Sequence, residues 1–332
     1  MNKHNRILAA ILAVQIVLLA ITFWPRASAA GGGEPLFGEL SADQVVRLTL
    51  QGAEGEPVVL AQNAGRWVLP EADDYPAQGD KIAALLDKLL AIRGDRLVAR
   101  TGGSHQRLKV AGDDFERLIT LELADGTQHQ LYLGTSPRYQ VLHVRPGDQD
   151  AVYLALGLTL YDARAEVTAW VDPVYFSVPR DEIVALTLEN ANGRFAFKKG
   201  EDDAWTMEGL SADETLNPNN VTSLVTRVTS LQMRRPLGRE EQAAYGFDAP
   251  SAVVTVLTRD AEGGERTHIL RVGAQRNEGK DAGYVVKSAT SPYYVLAADY
   301  TVSNFVERTR QDFLELPPTP TPEPTVEPTP TP

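Results

Sequence analysis

Cysteine is absent from the 332-residue chain, which at once removes disulfides, thiolate metal sites, a cysteine nucleophile and a lipidated N-terminal cysteine. Stability must come from packing alone. Concentrated basic charge is missing as well: 32 Lys and Arg are scattered among 44 Asp and Glu, for a net charge of −12. Phosphate backbones are held by clustered Lys and Arg, so no nucleic-acid partner is expected. The chain also lacks a Gly-x-Ser-x-Gly elbow, a Gly-x-x-x-x-Gly-Lys phosphate loop and a dinucleotide fingerprint. The run Gly102-Gly103-Ser104-His105 is too short and wrongly placed to stand in for one. No catalytic, cofactor-binding or metal-ligating residue is assigned, and no cofactor is expected.

What is present is a repeat. Asp43-Gln44-Val45-Val46-Arg47-Leu48-Thr49-Leu50 returns 138 positions later as Asp181-Glu182-Ile183-Val184-Ala185-Leu186-Thr187-Leu188, and the same offset carries Trp67 onto Trp205. Apolar residues make up 43% of the chain and charged ones 23%, so each copy can bury a core, and the length suggests about two domains. In each copy an alternating strand is followed by two short strands, divided by Asn63-Ala64-Gly65 in the first and by Asn192-Gly193 ahead of the second pair. An amphipathic helix comes next. Asp80 is expected to cap the first, which carries Ile82, Leu85, Leu86, Leu89, Leu90 and Ile92 and stops at Gly94. Asn217-Pro218-Asn219 opens the second, which carries Val221, Leu224, Val225, Val228 and Leu231. A shift of 139 superposes Leu85 on Leu224, Leu86 on Val225, Leu89 on Val228, Ile92 on Leu231 and Gly134 on Gly273.

Hairpins follow, Glu116 to Leu123 with Gln128 to Leu133 around Ala124-Asp125-Gly126-Thr127, and Ala252 to Leu257 with Thr267 to Val272. Further strands are expected at Gln140 to Val144, Ala151 to Leu154, Tyr284 to Lys287 and Tyr293 to Leu296. Helices are expected from Leu158 to about Val167 and from Thr301 to Arg308. The expected fold class is α+β: two tandem repeated modules of mostly antiparallel sheet with packed helices, after an N-terminal transmembrane helix. The boundaries read as a membrane anchor or signal peptide over 1–29, a linker over 30–39, module 1 over 40–179, module 2 over 180–316 and a Pro/Thr-rich tail over 317–332.

The anchor rests on the apolar run Ile7 to Trp24 behind Lys3 and Arg6. Its 18 residues reach roughly 27 Å as a helix, and leading positive charge places the bulk of the chain outside the cytoplasm. Ala27-Ser28-Ala29 also fits a signal-peptide cleavage site, the competing reading. Alternate prolines enforce an extended, solvated tail, read as a spacer, a glycosylated stalk or a wall-penetrating arm.

Several side chains are candidates for chemistry. His129 and His268, 139 apart, each share a strand face with two aliphatics and read as polar residues at the rim of a core. His105 and His143 read as solitary and exposed. Asp73-Asp74, Asp113-Asp114, Asp202-Asp203 and the pair Asp148 and Asp150 read as solvated turn acids, since a calcium loop would need a longer ligand series. Trp67 and Trp205 are expected to be core anchors rather than ligand-stacking platforms. Asn220-Val221-Thr222 matches the N-glycosylation pattern but sits at a helix start.

On the strand signatures Val46 to Leu50 and Val184 to Leu188, Trp67 and Trp205, the docked helices and the strands near Tyr153 and Tyr294, the chain resembles the bacterial family called domain of unknown function 4340 (DUF4340). The resemblance covers roughly Leu40 to Leu316. It implies a membrane-anchored, extracytoplasmic protein, often encoded beside an ABC-type transport system of the kind linked to gliding motility, with no catalytic residues to transfer. The expected function is a non-enzymatic, membrane-tethered extracytoplasmic accessory or scaffold protein, associated with an ABC-type transporter or envelope assembly. The alternative is an extracytoplasmic module that binds polysaccharide or peptide. The expected location is the cell membrane, single-pass, with the bulk of the chain extracytoplasmic, protein partners expected there and none among nucleic acids.

Overall fold

The computed structural model describes residues 33–276 and 282–315. The expected membrane span, the start of the linker and the Pro/Thr-rich tail lie outside the described residues. Among the described residues no helix is long and apolar enough to cross a membrane.

The chain begins with strands β1 (Val45–Gly52), β2 (Val58–Asn63), β3 (Arg66–Leu69) and β4 (Tyr75–Pro76), then helix α1 (Gly79–Leu90), β5 (Leu97–Ala99) and helix α2 (Gly102–Arg107). It continues through β6 (Arg117–Leu123), β7 (Gln128–Leu133), β8 (Val141–Pro146), β9 (Val152–Leu156) and β10 (Val174–Ser177). The second copy supplies β11 (Ile183–Asn190), β12 (Gly193–Lys199), β13 (Trp205–Met207), α3 (Pro218–Thr229), β14 (Ser230–Gln232) and β15 (Arg235–Gly238). It closes with β16 (Ala252–Arg259), β17 (Glu265–Arg276), β18 (Gly283–Ser288), β19 (Tyr294–Ala297) and α4 (Asp299–Val306). Mostly antiparallel sheet with a few helices makes this an α+β protein.

Two compact units divide the chain. Of the described residues, one holds 33–62 and Gly79–Glu166; the other holds Asn63–Gln78 and those from Val167 onward. Strands of the first unit run in the order β2-β1-β6-β7-β8-β9-β5, and those of the second in the order β13-β12-β11-β16-β17-β18-β19-β15. Beyond β13 the two rows correspond strand for strand. Even an irregularity repeats: the ladder shifts between Val45 and Arg47 on β1, and between Ile183 and Ala185 on β11, 138 positions on.

The alternation of β1 explains its two faces. Val45, Leu48 and Leu50 are buried while Arg47 and Thr49 turn outward, and Arg47 meets Glu122 across the ladder at 3.4 Å. On α1, Ile82, Leu85, Leu86 and Leu89 form the buried face; on α3, Val221, Leu224, Val225 and Val228 do. Each such side chain contributes about 2 kcal/mol through its removal from water. Asn217 caps α3, its Oδ1 accepting from the amides of Asn219 at 3.1 Å and Asn220 at 3.4 Å, with Pro218 pre-set for the first turn.

Gly134 and Gly273 mark one backbone crossing made twice. A Cβ on Gly134 would stand 2.0 Å from the Leu108 carbonyl oxygen, and one on Gly273 would stand 2.1 Å from that of Tyr245. Only glycine lets the chain pass so close.

Some expectations are corrected. No helix forms from Leu158 to Val167: the Asp162 carboxylate accepts from the amide and hydroxyl of Thr159, both at 2.8 Å, and holds a turn in its place. Asp80 lies inside the first turn of α1, where an acid suits the helix dipole, and is not its cap. Leu231 is buried on β14, just past the helix it was expected to extend. The last helix begins at Asp299 and ends at Val306, short of Arg308.

Within the second unit, the segment from Asn63 to Gln78 is held by a polar and aromatic clamp. The Arg239 amide donates to Asp73 Oδ2 at 2.6 Å, the Tyr293 hydroxyl donates to the Asp74 carbonyl at 2.9 Å, and the Gln78 amide donates to the Trp170 carbonyl at 2.7 Å. Tyr75 stands edge-on to Tyr293, ring centroids 4.7 Å apart. Burial, reinforced by the nearby Tyr175 and Asp172, pushes the Tyr75 phenol up to about 12.

Candidate functional site

Two histidines at the same place in the repeat open onto cavities of their own units. His129 lies on β7 opposite Leu121, and His268 lies on β17 opposite Val256. Each is half-buried, and each meets the edge of a phenylalanine: Phe37 at 5.9 Å and 79°, Phe176 at 6.4 Å and 81°. Those phenylalanines are themselves 139 positions apart. Sequence reasoning missed this second pair because Phe37 falls in the stretch read as linker, although the offset was there to be seen.

The surroundings of the two histidines differ. The His129 cavity, about 610 Å³, is lined by Leu36, Phe37, Gln128, Gln130, Pro146, Gly147 and Asp148 as well as the imidazole. Gly147 makes room for the Gln130 side chain, which would lie 2.8 Å from a Cβ at that position. The His268 cavity, about 280 Å³, carries Glu182, Asp260, Arg266 and Thr258. There the Thr258 hydroxyl donates to the Arg266 carbonyl at 3.3 Å and accepts from His268 Nε2 at 3.1 Å. In the first copy the residue in Thr258's place is Leu123: Leu123 pairs with Val45 on β1 as Thr258 pairs with Ile183 on β11. Leucine has no hydroxyl to offer. Neither the His129 imidazole nor the side chains of Gln128, Gln130 and Asp148 has a hydrogen-bond partner among the described residues.

A third opening, about 320 Å³, lies in the second unit between Trp205, Arg180, Asp181, Lys199, Thr222 and Val225. Trp205 is half-buried on β13 and Trp67 half-buried on β3, so neither is the core anchor expected of it. A strand's identity does not set burial; what covers the strand does, and the buried indole is that of Trp170. Lys199 is spoken for by Asp203 at 2.7 Å.

His105 and His143 are buried, against expectation. The His105 imidazole donates to the Asp150 carbonyl at 2.8 Å, and that of His143 donates to the Thr135 carbonyl at 2.9 Å. Backbone carbonyls, one of them 45 residues away, draw both rings inward. The acidic pairs are scattered: Asp114 meets Lys109 at 2.8 Å, Asp73 and Asp74 belong to the clamp, and Asp148 and Asp150 are exposed. Among the described residues no group of three or more His, Asp or Glu could hold a metal ion. The Asn220 side chain donates to the Asp312 carbonyl at 2.7 Å and so is tied into the helix start.

A second cluster rims an aromatic core in the second unit. Tyr245, Phe247 and Tyr294 pack with Val285, and the Tyr294 hydroxyl donates to Glu241 at 2.5 Å. Burial, with that bond to the Glu241 carboxylate, pushes the Tyr294 phenol up to about 12. Lys287 lies over the Tyr294 ring at 4.7 Å and Arg271 over that of Phe247 at 5.3 Å. These cations are consumed in fastening the sheet.

The arrangement defines an α+β protein of repeated antiparallel sheets with a histidine-lined cavity in each unit. The chain belongs to the domain of unknown function family DUF4340, whose model matches residues 67–250 and 211–318. No curated protein and no solved structure matches the chain.

Proposed function

We propose that the protein is a non-enzymatic accessory or scaffold subunit, tethered to the cell membrane by the apolar run Ile7 to Trp24 and exposed outside the cytoplasm, where it associates with an ABC-type transporter or envelope assembly. The observation that carries this reading is the edge of the first unit's sheet. Strand β5 ends the row, paired through Leu97 with Tyr153 and through Ala99 with Val152, and exposes Leu97 and Val98 at 47% and 43%. Exposed aliphatics on an unpaired edge are a liability unless a partner covers them. The tether is supported by Lys3 and Arg6 ahead of the apolar run.

Crosslinking the full-length protein in native membranes and identifying what is recovered tests the reading. Near-stoichiometric recovery of a permease or ATPase is the expected result. Recovery of the protein alone, released without detergent, overturns both the tether and the transporter partner. The second reading, an extracytoplasmic module that holds polysaccharide or peptide, is favoured by the cavity at His129.

A further inference from the structure

We infer that the cavity around His129 binds an uncharged, hydroxyl-rich ring, that is, a neutral saccharide unit. The inference deepens the ligand-binding reading and is independent of any transporter partner. Three features carry it. The first is size: about 610 Å³ lies within the range of roughly 300–1,000 Å³ typical of small-molecule sites.

The second is the chemistry of the wall. Gln128, Gln130 and His129 each offer a donor and an acceptor, and Asp148 offers a carboxylate. A sugar hydroxyl also donates and accepts at once, so carboxamides, imidazole and carboxylate match it without needing a charge on the ligand. Leu36, Phe37 and Pro146 add an apolar side, suited to the C–H face of a pyranose. The lining includes no Lys or Arg, so an anionic ligand would find a carboxylate and no opposing cation.

The third is the contrast between the copies. The second copy holds its histidine with Thr258 and surrounds it with Glu182, Asp260 and Arg266. The first has Leu123 in the place of that threonine and leaves the imidazole with no hydrogen-bond partner among the described residues. A polar group left without a protein hydrogen bond at a half-buried rim is available to a ligand. The duplicated frame thus provides its own control: His268 occupies the same position and is already satisfied.

Isothermal titration calorimetry of the full-length protein in detergent micelles tests this, with maltotriose, cellotriose and chitotriose as neutral probes and trigalacturonate as the anionic one. Binding of at least one neutral trisaccharide is expected, weakened about tenfold or more by His129→Ala and by Gln130→Ala, the loss anticipated for one or two good hydrogen bonds. His268→Ala is expected to leave the affinity unchanged. Gln128→Ala and Asp148→Asn, at exposed positions, repeat the test should His129→Ala not fold. Binding of none of the neutral probes, preference for trigalacturonate, or affinity indifferent to the substitutions around His129 overturns the inference. Such a failure leaves the membrane crosslinking result, and with it the accessory-subunit reading, untouched.

Discussion

Phe37 stands edge-on to His129, with ring centroids 5.9 Å apart and planes at 79°, and the repeat reproduces the pair 139 positions later as Phe176 and His268 at 6.4 Å and 81°. One pair is finished by a hydroxyl and the other is not, so their energetic roles should differ. His268→Ala removes the bond to the buried Thr258 and is expected to cost about 1–2 kcal/mol of stability. His129→Ala is expected to cost less than about 1 kcal/mol, since no protein hydrogen bond is lost. Chemical denaturation of the two variants, followed by tryptophan fluorescence, measures the difference; equal losses would mean that the imidazoles serve only as packing.

Gly134 and Gly273 should resist replacement strongly. Alanine at either places its Cβ within about 2 Å of a backbone carbonyl oxygen, which cannot swing aside as a side chain could. Each substitution is expected to destabilise its own unit by about 2–4 kcal/mol, through overpacking and the displaced strand. Thermal unfolding checks this, with Gly65→Ala as a comparison in open space, where only the strain of a positive φ is added.

Acid should loosen the end of the second unit. Arg310 donates to Glu214 Oε1 at 3.0 Å and to Oε2 at 2.5 Å, and this pairing holds the Glu214 carboxyl down to about 2 from its ordinary 4.5. A depressed acid stabilises the fold above its unfolded value and loses that contribution as pH falls, here between about 4.5 and about 2. The expectation is a fall in melting temperature across that window which is smaller in Glu214→Gln; an identical acid profile for the variant would refute it.

Alkali should act on two phenols. Tyr75 and Tyr294 both ionise only at about 12, because burial disfavours the phenolate. A raised phenol stabilises the fold below the ordinary value near 10 and loses that contribution as pH climbs to about 12. Ultraviolet difference titration should show these two tyrosines ionising late and together with unfolding. Early, reversible ionisation of all the tyrosines would exclude the buried clamp.

The exposed pair on β5 gives a test of partner contact. Leu97→Lys with Val98→Lys should leave the stability within about 0.5 kcal/mol of the parent, since the positions are exposed, while reducing crosslinking in membranes. Undiminished crosslinking would place any contact elsewhere.

How much of this was legible in the sequence follows from what each element depends on. Strands β1 and β11 show in their own alternation, the faces of α1 and α3 show in their apolar spacing, and the first hairpin shows in Asp125-Gly126, where Gly126 takes φ +86°. Local signals set local structure. By contrast, β5 is three residues of Leu-Val-Ala, and β15 contains Pro236; both exist only because β9 and β19 offer them a ladder. Burial of His105 and His143 was equally unreadable, since it depends on carbonyls supplied by Asp150 and Thr135. The tryptophans misled for the related reason that repetition preserves a position along the chain and says nothing about its cover. At the candidate site, His129 and its twin were visible, whereas the substitution of Leu123 for Thr258 could be recognised only once the ladders fixed which residues correspond.

That the Asn63–Gln78 segment belongs to the second unit has a consequence for the protein's birth. That segment is translated early, yet its partners Trp170, Arg239 and Tyr293 come about 90 to 220 residues later. At about 5–20 residues per second, the ribosome leaves Tyr75 and its neighbours waiting on the order of ten seconds or more before the second unit can receive them. The strands of the first unit are all translated by Leu156, before Arg239 and Tyr293 emerge, so a nascent chain passes through a stage in which those strands exist while the later partners of this early segment are still to be made.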